Sequence, residues 1–394
     1  MRLPDCLRSC LNEAASRALP FAVWRRPHAD GFEAAIACSP VARRPVFGPD
    51  PAPPFFALNR FDAGRAGRGT ANDAMGIVAD ILFRDRVPSF RSGTDYTADP
   101  ATPLQEILVG ARAANRPLQA ASGANPPAEA GQSEYKRLVA DAVDKIKADR
   151  FMKAVTSRAE GRPLDPDYDL LDLTEALAAK LPTAFVALVA LPDNGAWLVG
   201  TPETLLSADE ATLTTIALAG TQWTAVPDTA IDLDSVLWPS KIIEEQALVS
   251  RFIRETLAEI GLTDFVERGP RTVRAANLMH LRSDFTIRAG DADPAKRRAL
   301  LNRLHPTSAV CGLPKDRAFD FLAAREGYDR DCYTGFLGPV NLDGRTDLYV
   351  NLRTARILGQ TAYLHVGGGI VAGSDPDLEW QETVEKTKVV GSIF

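Results

Sequence analysis

The stretch TAFVALVALPDNGAWLVGTP, residues 183–202, decides the fold class. Two apolar runs, TAFVALVALP and AWLVGTP, flank Asp193-Asn194-Gly195. Such a turn between two strand-like runs is a hairpin signature, because Asn and Gly tolerate the positive φ that tight turns require. Strands joined this way run antiparallel, whereas parallel neighbours need a long crossover. The pattern repeats outward. FMKAVTSRAE (151–160) and TLTTIALAGTQ (212–222) read as further strands, and TDLYVNLRTARIL (346–358) with TAYLHVGGGIV (361–371) as a second hairpin. Helices are inserted singly. SEYKRLVADAVDKIKADR (133–150) spaces Tyr135, Leu138, Val139, Val143 and Ile146 amphipathically with Ser133 as its cap, and 241–258 forms another. Strands following one another through turns imply antiparallel sheets in an α+β arrangement, not repeated βαβ units. Residues 1–130 are rich in Pro, Gly and Ala, with loops expected at 92–103 and 121–133. The second loop is the best boundary between a variable part, 1–130, and a better patterned region, 131–394, within one compact domain.

Composition narrows the function. The 394 residues are 45% hydrophobic and 24% charged, the profile of a soluble globular protein. A net charge of −6 argues against a general nucleic-acid binder, whose footprint is basic, but leaves room for a small anion in a locally basic pocket. The strongest apolar run, AFVALVALP (184–192), is about half the ~18–20 residues of a membrane span. Asp5 and Glu13 interrupt any export-signal core, so a cytoplasmic location is expected. Five cysteines and histidines at 28, 280, 305 and 365 show neither a disulfide framework nor a Cys/His metal spacing.

Several stretches place charge beside strands or glycines. Lys153 lies inside an apolar strand, where a lysine either snorkels to water or, if buried, becomes a possible general base. Glu203 follows a strand in GTPETLL; alone it reads as a helix-start carboxylate. Glu245 shares a helix face with Val249 and Phe252 and so points partly inward, where it needs a cationic or metal partner. Glu379 and Glu382, with Lys386, share a face of the segment SDPDLEWQETVEKTK (374–388). They suit either surface ion pairs or Mg²⁺, which takes one or two carboxylates and keeps several waters. Arg353 offers a fork for a carboxylate, and Gly367, Gly368 and Gly369 either form a bulge or let bare N–H groups approach an anion. No GxGxxG fingerprint or GxxxxGK[ST] loop is present.

Taken together these stretches resemble the chorismate-utilising enzymes: isochorismate, salicylate, anthranilate and aminodeoxychorismate synthases. The resemblance rests on KAVTSR (153–158), GTPETLL (200–206), IALAGT (216–221), KIIEEQALV (241–249), NLMHLRS (277–283), LHPTSAVCGLP (304–314), DCYTGFLGPV (331–340), YVNLR (349–353) and GGGIVAGSDPDLEWQETVEK (367–386). They follow one another in the family's order across roughly the last two thirds of the chain. The resemblance implies large antiparallel sheets packed face to face with helices outside. It implies Lys153 as general base and Glu203 as general acid. Glu245 and Glu382 would be Mg²⁺ ligands, supported by Glu379. Arg353, Tyr333, Gly367, Gly368, Gly369 and Lys386 would hold the substrate carboxylates, and His280 and His305 would line the site. Ala219, Gly220 and Thr221 occupy the segment beside the ring. Ala219 stands where aminodeoxychorismate synthases carry a nucleophilic lysine, which points to water as the attacking group. No cysteine sits in a Gly-flanked nucleophile elbow, so no fused glutamine amidotransferase domain is expected, nor is an amidotransferase partner subunit. The expectation is a monomeric, Mg²⁺-dependent isochorismate synthase acting on chorismate, with salicylate synthase or a non-catalytic chorismate-binding relative as alternatives.

Overall fold

The computed structural model describes residues 2–48, 52–65, 69–84, 87–90, 117–223, 232–275 and 278–394. The loop expected at 92–103 lies outside them. Nineteen strands form two sheets among the described residues, and every described pairing is antiparallel. The ten-stranded sheet runs, edge to edge, through Gly312–Leu313, Lys153–Pro163, Thr361–Ile370, Thr354–Leu358, Gly195–Thr201, Phe185–Leu191, Phe21–Arg25, Glu33–Ile36, Ile81–Arg84 and Val87–Phe90. The nine-stranded sheet runs through Phe265–Ala275, Leu278–Arg288, Thr212–Trp223, Thr204–Ala208, Thr346–Val350, Phe336–Val340, Phe55–Asn59, Asp73–Val78 and Ala42–Pro45. Strands from residues 21–90 therefore pair directly with strands from the C-terminal region in both sheets.

The sheets pack face to face. Trp24, Phe185, Val189 and Trp197 of one meet Phe56, Leu58, Leu337 and Tyr349 of the other, and Phe185 stacks on Tyr349 with centroids 4.0 Å apart. Helices Asp5–Ser16, Leu170–Lys180 and Pro376–Gly391 cover the outer face of the larger sheet, and Ser240–Glu259 with Pro294–Leu304 cover that of the smaller. The central strands, such as Phe185–Leu191 and Gly195–Thr201, are apolar on both faces because both faces are covered. Gln132–Lys147 and Lys315–Arg325 pack on Ala154 and Ile370 at the end that carries Lys153.

Two sequence expectations need correction. The helix expected to be capped by Ser133 starts one residue earlier, at Gln132, and the orphan N–H of Gly131 donates to Glu134 Oε2 at 2.8 Å. The run 346–358 is not one strand. Thr346–Val350 belongs to the nine-stranded sheet and Thr354–Leu358 to the ten-stranded one, with Arg353 at φ 49° in the step between them. Only Thr354–Leu358 and Thr361–Ile370 form the expected hairpin. A second switch lies beside the first: Gly195–Thr201 is in the larger sheet and Thr204–Ala208 in the smaller, so Pro202 and Glu203 also cross between sheets. Backbone hydrogen bonds lock the crossings together, Gly200 N donating to Arg353 O at 3.1 Å and Val350 N to Glu203 O at 2.9 Å.

The opening hairpin pairs Leu191 with Gly195 around Pro192-Asp193-Asn194. Gly195 has φ 78°, and a Cβ there would press on the Leu358 side chain and the Ile357 carbonyl. Gly195→Ala is therefore expected to cost about 1–2 kcal/mol, read as a lowered denaturation midpoint with unchanged slope.

Candidate active site

The two crossings open onto a cavity between the sheets. It is lined by Glu203, Gly220, Glu245, His280, Tyr333, Arg353, Gly367, Gly368, Gly369, Glu382 and Lys386, among others. Most of the residues singled out from the sequence thus converge, although they come from eight separate strands, loops and helices. The register explains the convergence. Gly369 pairs with Val155 and Gly367 with Ser157, which sets the bare end of Thr361–Ile370 beside the strand that begins at Lys153.

Lys153 is fully buried, and its Nζ donates to Glu245 Oε1 at 2.6 Å. Helix Ser240–Glu259 delivers that carboxylate: Val249, Ile253 and Leu257 anchor it on the smaller sheet, while Gln246 Nε2 donates to Ala217 O and Ser283 Oγ. Lys386 makes a matching pair, contacting Glu382 at 2.7 Å and donating to Gly367 O at 2.8 Å. The glycines bring the backbone close to these charged groups. A Cβ on Gly369 would lie 2.9 Å from Glu245 Oε1 and 3.1 Å from Lys153 Cε; one on Gly368 would lie 3.2 Å from Glu379 Oε2 and 3.8 Å from Glu382 Oε1. Three carboxylates therefore press on two adjacent residues that have no side chains.

Glu203 is 5% exposed, and burial pushes its carboxyl up to about 7 against the pull of the Lys153 and Arg353 cations. Burial likewise pushes Arg353 down to about 10, opposed by Glu203. Arg353 Nη2 donates to His280 Nε2 at 2.7 Å, so the proton of this imidazole sits on Nδ1, which donates to Gly220 O at 2.7 Å. Burial and then Arg353 depress His280 to about 3, which keeps it neutral. Gly220 has φ 71° at a register shift between Ala219 and Gln222, and this bulge turns its carbonyl toward the histidine. The other terminal nitrogen of Arg353, Nη1, is buried without a hydrogen-bond partner among the described residues, as expected of a fork waiting for an anion. Tyr333 is held at the cavity wall because Thr334 N donates to Asn351 O, next to the Arg353 crossing.

Some residues fall elsewhere. His305 does not line the cavity; its Nε2 contacts Arg60 O at 2.9 Å and its ring meets Phe336 edge-on, so it is a packing and tethering group. Lys153 reaches the wall only through Glu245, and Glu379 is buried behind Gly368. Ala219 and Thr221 lie on Thr212–Trp223, but their side chains are outside the described residues. His365, which sequence reasoning passed over, is in the cavity wall.

The acidic groups suit a hard divalent cation. All donors are carboxylate oxygens, and the side-chain-free ribbon leaves space between them. Among the described residues no three His, Cys, Asp or Glu side chains are grouped closely enough to hold a metal ion as they stand.

Comparison with known proteins gives the family and the fold. The family described as "Chorismate binding enzyme" matches residues 97–393. The isochorismate synthase EntC of Escherichia coli (strain K12) is 30% identical over 266 residues, 67% of each protein. Anthranilate synthase component 1 of Streptomyces coelicolor is 31% identical over 324 residues, 80% of this chain and 62% of that protein. The structure of MenF, the menaquinone-specific isochorismate synthase of Escherichia coli, superposes with a TM-score of 0.74 at 23% identity, covering 97% of this chain and 90% of that one. At that identity the last comparison speaks for the fold alone.

The raised Glu203 carboxyl has a measurable consequence. The unfolded chain gives up this proton near 4.5 and the folded chain only near 7, so the group's contribution to stability falls as pH rises between them. Glu203→Gln should gain on the wild type by about 3 kcal/mol over that window, measured as the difference in unfolding free energy at pH 4.5 and pH 8.

Proposed function

We propose, for a chain that belongs to the chorismate-binding enzyme family, that the cavity is the active site of an isochorismate synthase. The observation that carries this reading is the presence of opposite proton-transfer groups at one cavity: a buried lysine that meets the wall through Glu245, and on a sheet crossing a carboxyl held protonated up to about pH 7. A binding protein needs neither. Chorismate is a dianion, and Arg353, Lys386 and the bare N–H groups at Gly367–Gly369 supply the local positive potential that an acidic chain otherwise lacks.

In this reading Lys153 takes a proton from water as the water oxygen bonds to ring carbon 2. The double bonds shift, the bond from carbon 4 to its hydroxyl breaks, and Glu203 delivers a proton to the departing oxygen. Each transfer is typically worth ~10²–10⁴ in rate. Neutral His280 orients Arg353, so the guanidinium meets a substrate carboxylate from a fixed direction. Glu245 and Glu382, with Glu379 behind them, would hold Mg²⁺, which would supply charge neutralisation at a substrate carboxylate. With Glu245 drawn toward a cation, Lys153 Nζ would lose its present partner.

Purified protein given chorismate and Mg²⁺ should make isochorismate with little pyruvate, followed by mass and ultraviolet spectrum. Equal amounts of salicylate and pyruvate would move the assignment to a salicylate synthase, and ammonia-dependent anthranilate would overturn it. Lys153→Ala should abolish turnover while chorismate binding persists. Because Glu203 must be protonated to act, kcat/KM is expected to fall as pH rises through about 7, and the same limb should be missing from the residual activity of Glu203→Gln.

A further inference from the structure

His365 has no role in the reading above, yet its environment is unusual. The residue is 2% exposed and lines the cavity, and neither ring nitrogen has a hydrogen-bond partner among the described residues. Buried polar atoms are nearly always paired, so two orphans on one ring call for an explanation. Stacking does not supply it. Trp197, Tyr333 and Tyr328 lie against the imidazole with centroids 5.5, 5.1 and 5.9 Å away at angles of 25–26°. A phenyl ring would stack there without burying two nitrogens.

The neighbours are committed elsewhere. Trp197 Nε1 donates to Asn194 Oδ1, and the Tyr328 hydroxyl pairs with Ser157 Oγ at 2.6 Å. Arg330 is spent on Glu326, Val310, Val155 and Thr334, and Arg356 on backbone carbonyls of Asn194 and Asn125. Burial, with Arg356 and Arg330 nearby, depresses the imidazole to about 3, so it stays neutral, with one N–H donor and one lone-pair acceptor. Such a ring can donate to or accept from a hydroxyl, while the cationic Arg353 and Lys386 are the stronger partners for the carboxylates. Side chains alternate along a strand, so His365 shares a face with Gly367 and Gly369, and a Cβ on Gly369 would contact Glu245 and Lys153. The histidine therefore flanks the same space as the acid, base and anion-binding groups.

We infer that His365 is a substrate-contacting residue that hydrogen-bonds a hydroxyl of the bound cyclohexadiene ring, an inference that rests on the chorismate reading. The uncharged hydroxyl is thereby selected separately from the carboxylates, which belong to Arg353, Lys386 and the glycine ribbon.

The test is steady-state kinetics with chorismate on wild type, His365→Phe, His365→Leu and His365→Asn, with thermal unfolding in parallel. The apolar variants should raise KM roughly tenfold, about 1.4 kcal/mol, with kcat within about twofold, because a contact made equally in ground and transition states acts on KM. His365→Asn, which keeps a donor and an acceptor, should stay within about threefold of wild type. His365→Phe should unfold no earlier than wild type, since it removes two unpaired buried atoms. If His365→Phe fails to fold, the Leu and Asn pair makes the same comparison. An unchanged KM in the apolar variants, with wild type turning over chorismate, overturns the inference; a wild type inert toward chorismate overturns instead the reading on which it rests.

Discussion

The whole site depends on two chain crossings held side by side. Residues 202–203 and 351–353 each carry the chain from one sheet to the other, and the bonds Gly200 N to Arg353 O and Val350 N to Glu203 O fix them in one register. A strand that stays in its sheet points its side chains into a packed core or toward a covering helix. A strand that changes sheets must leave the ladder for two or three residues, and those residues face the gap between the layers. Glu203 and Arg353 are both such residues, which is why a proton donor and an anion-binding fork share one cavity. The positive φ of Arg353, and that of Thr334 in the same cavity wall, are irregularities that the crossing brings to the site.

Charge in the cavity is organised as compensated pairs. Lys153 with Glu245, largely buried, and Lys386 with Glu382, more exposed, keep four ionic groups at the cavity in two pairs, each close enough for a charge-assisted hydrogen bond. Such pairs are poor sources of stability, because desolvation offsets most of the attraction. They are well suited to exchange: an incoming dianion competes for the lysines and an incoming cation for the carboxylates. Arg353 and His280 form the complementary arrangement, a cation hydrogen-bonded to a neutral imidazole, which leaves the other terminal nitrogen of the guanidinium for ligand.

The antiparallel class was legible in the sequence because hairpins and strand periodicity are local. The Phe185–Leu191 and Gly195–Thr201 pair and helix Ser240–Glu259 lie within a residue or two of where the patterns put them. The sheet switch at Arg353 was not, since 346–358 reads as one continuous β-type run and nothing local reports which sheet takes each half. Glu203 and Lys153 could be singled out by residue type, but what surrounds them is set by pairings hundreds of residues apart. His305 was misplaced because a family motif locates a segment, not the direction of its ring. His365 was missed because a histidine in a strand carries no signal until its orphaned nitrogens and aromatic neighbours are seen.

The interleaving of the sheets has a consequence for how the chain is made. Phe21–Arg25 must wait for Phe185–Leu191, Phe55–Asn59 for Phe336–Val340, and Lys153–Pro163 for Thr361–Ile370. On the ribosome, Phe55–Asn59 can pair with Asp73–Val78 on one edge but keeps its other edge open, and Lys153–Pro163 emerges long before its partner. Loops of that length are expensive to close, so folding is expected to be slow and largely post-translational. The nascent chain carries its aggregation risk until its last hundred residues arrive.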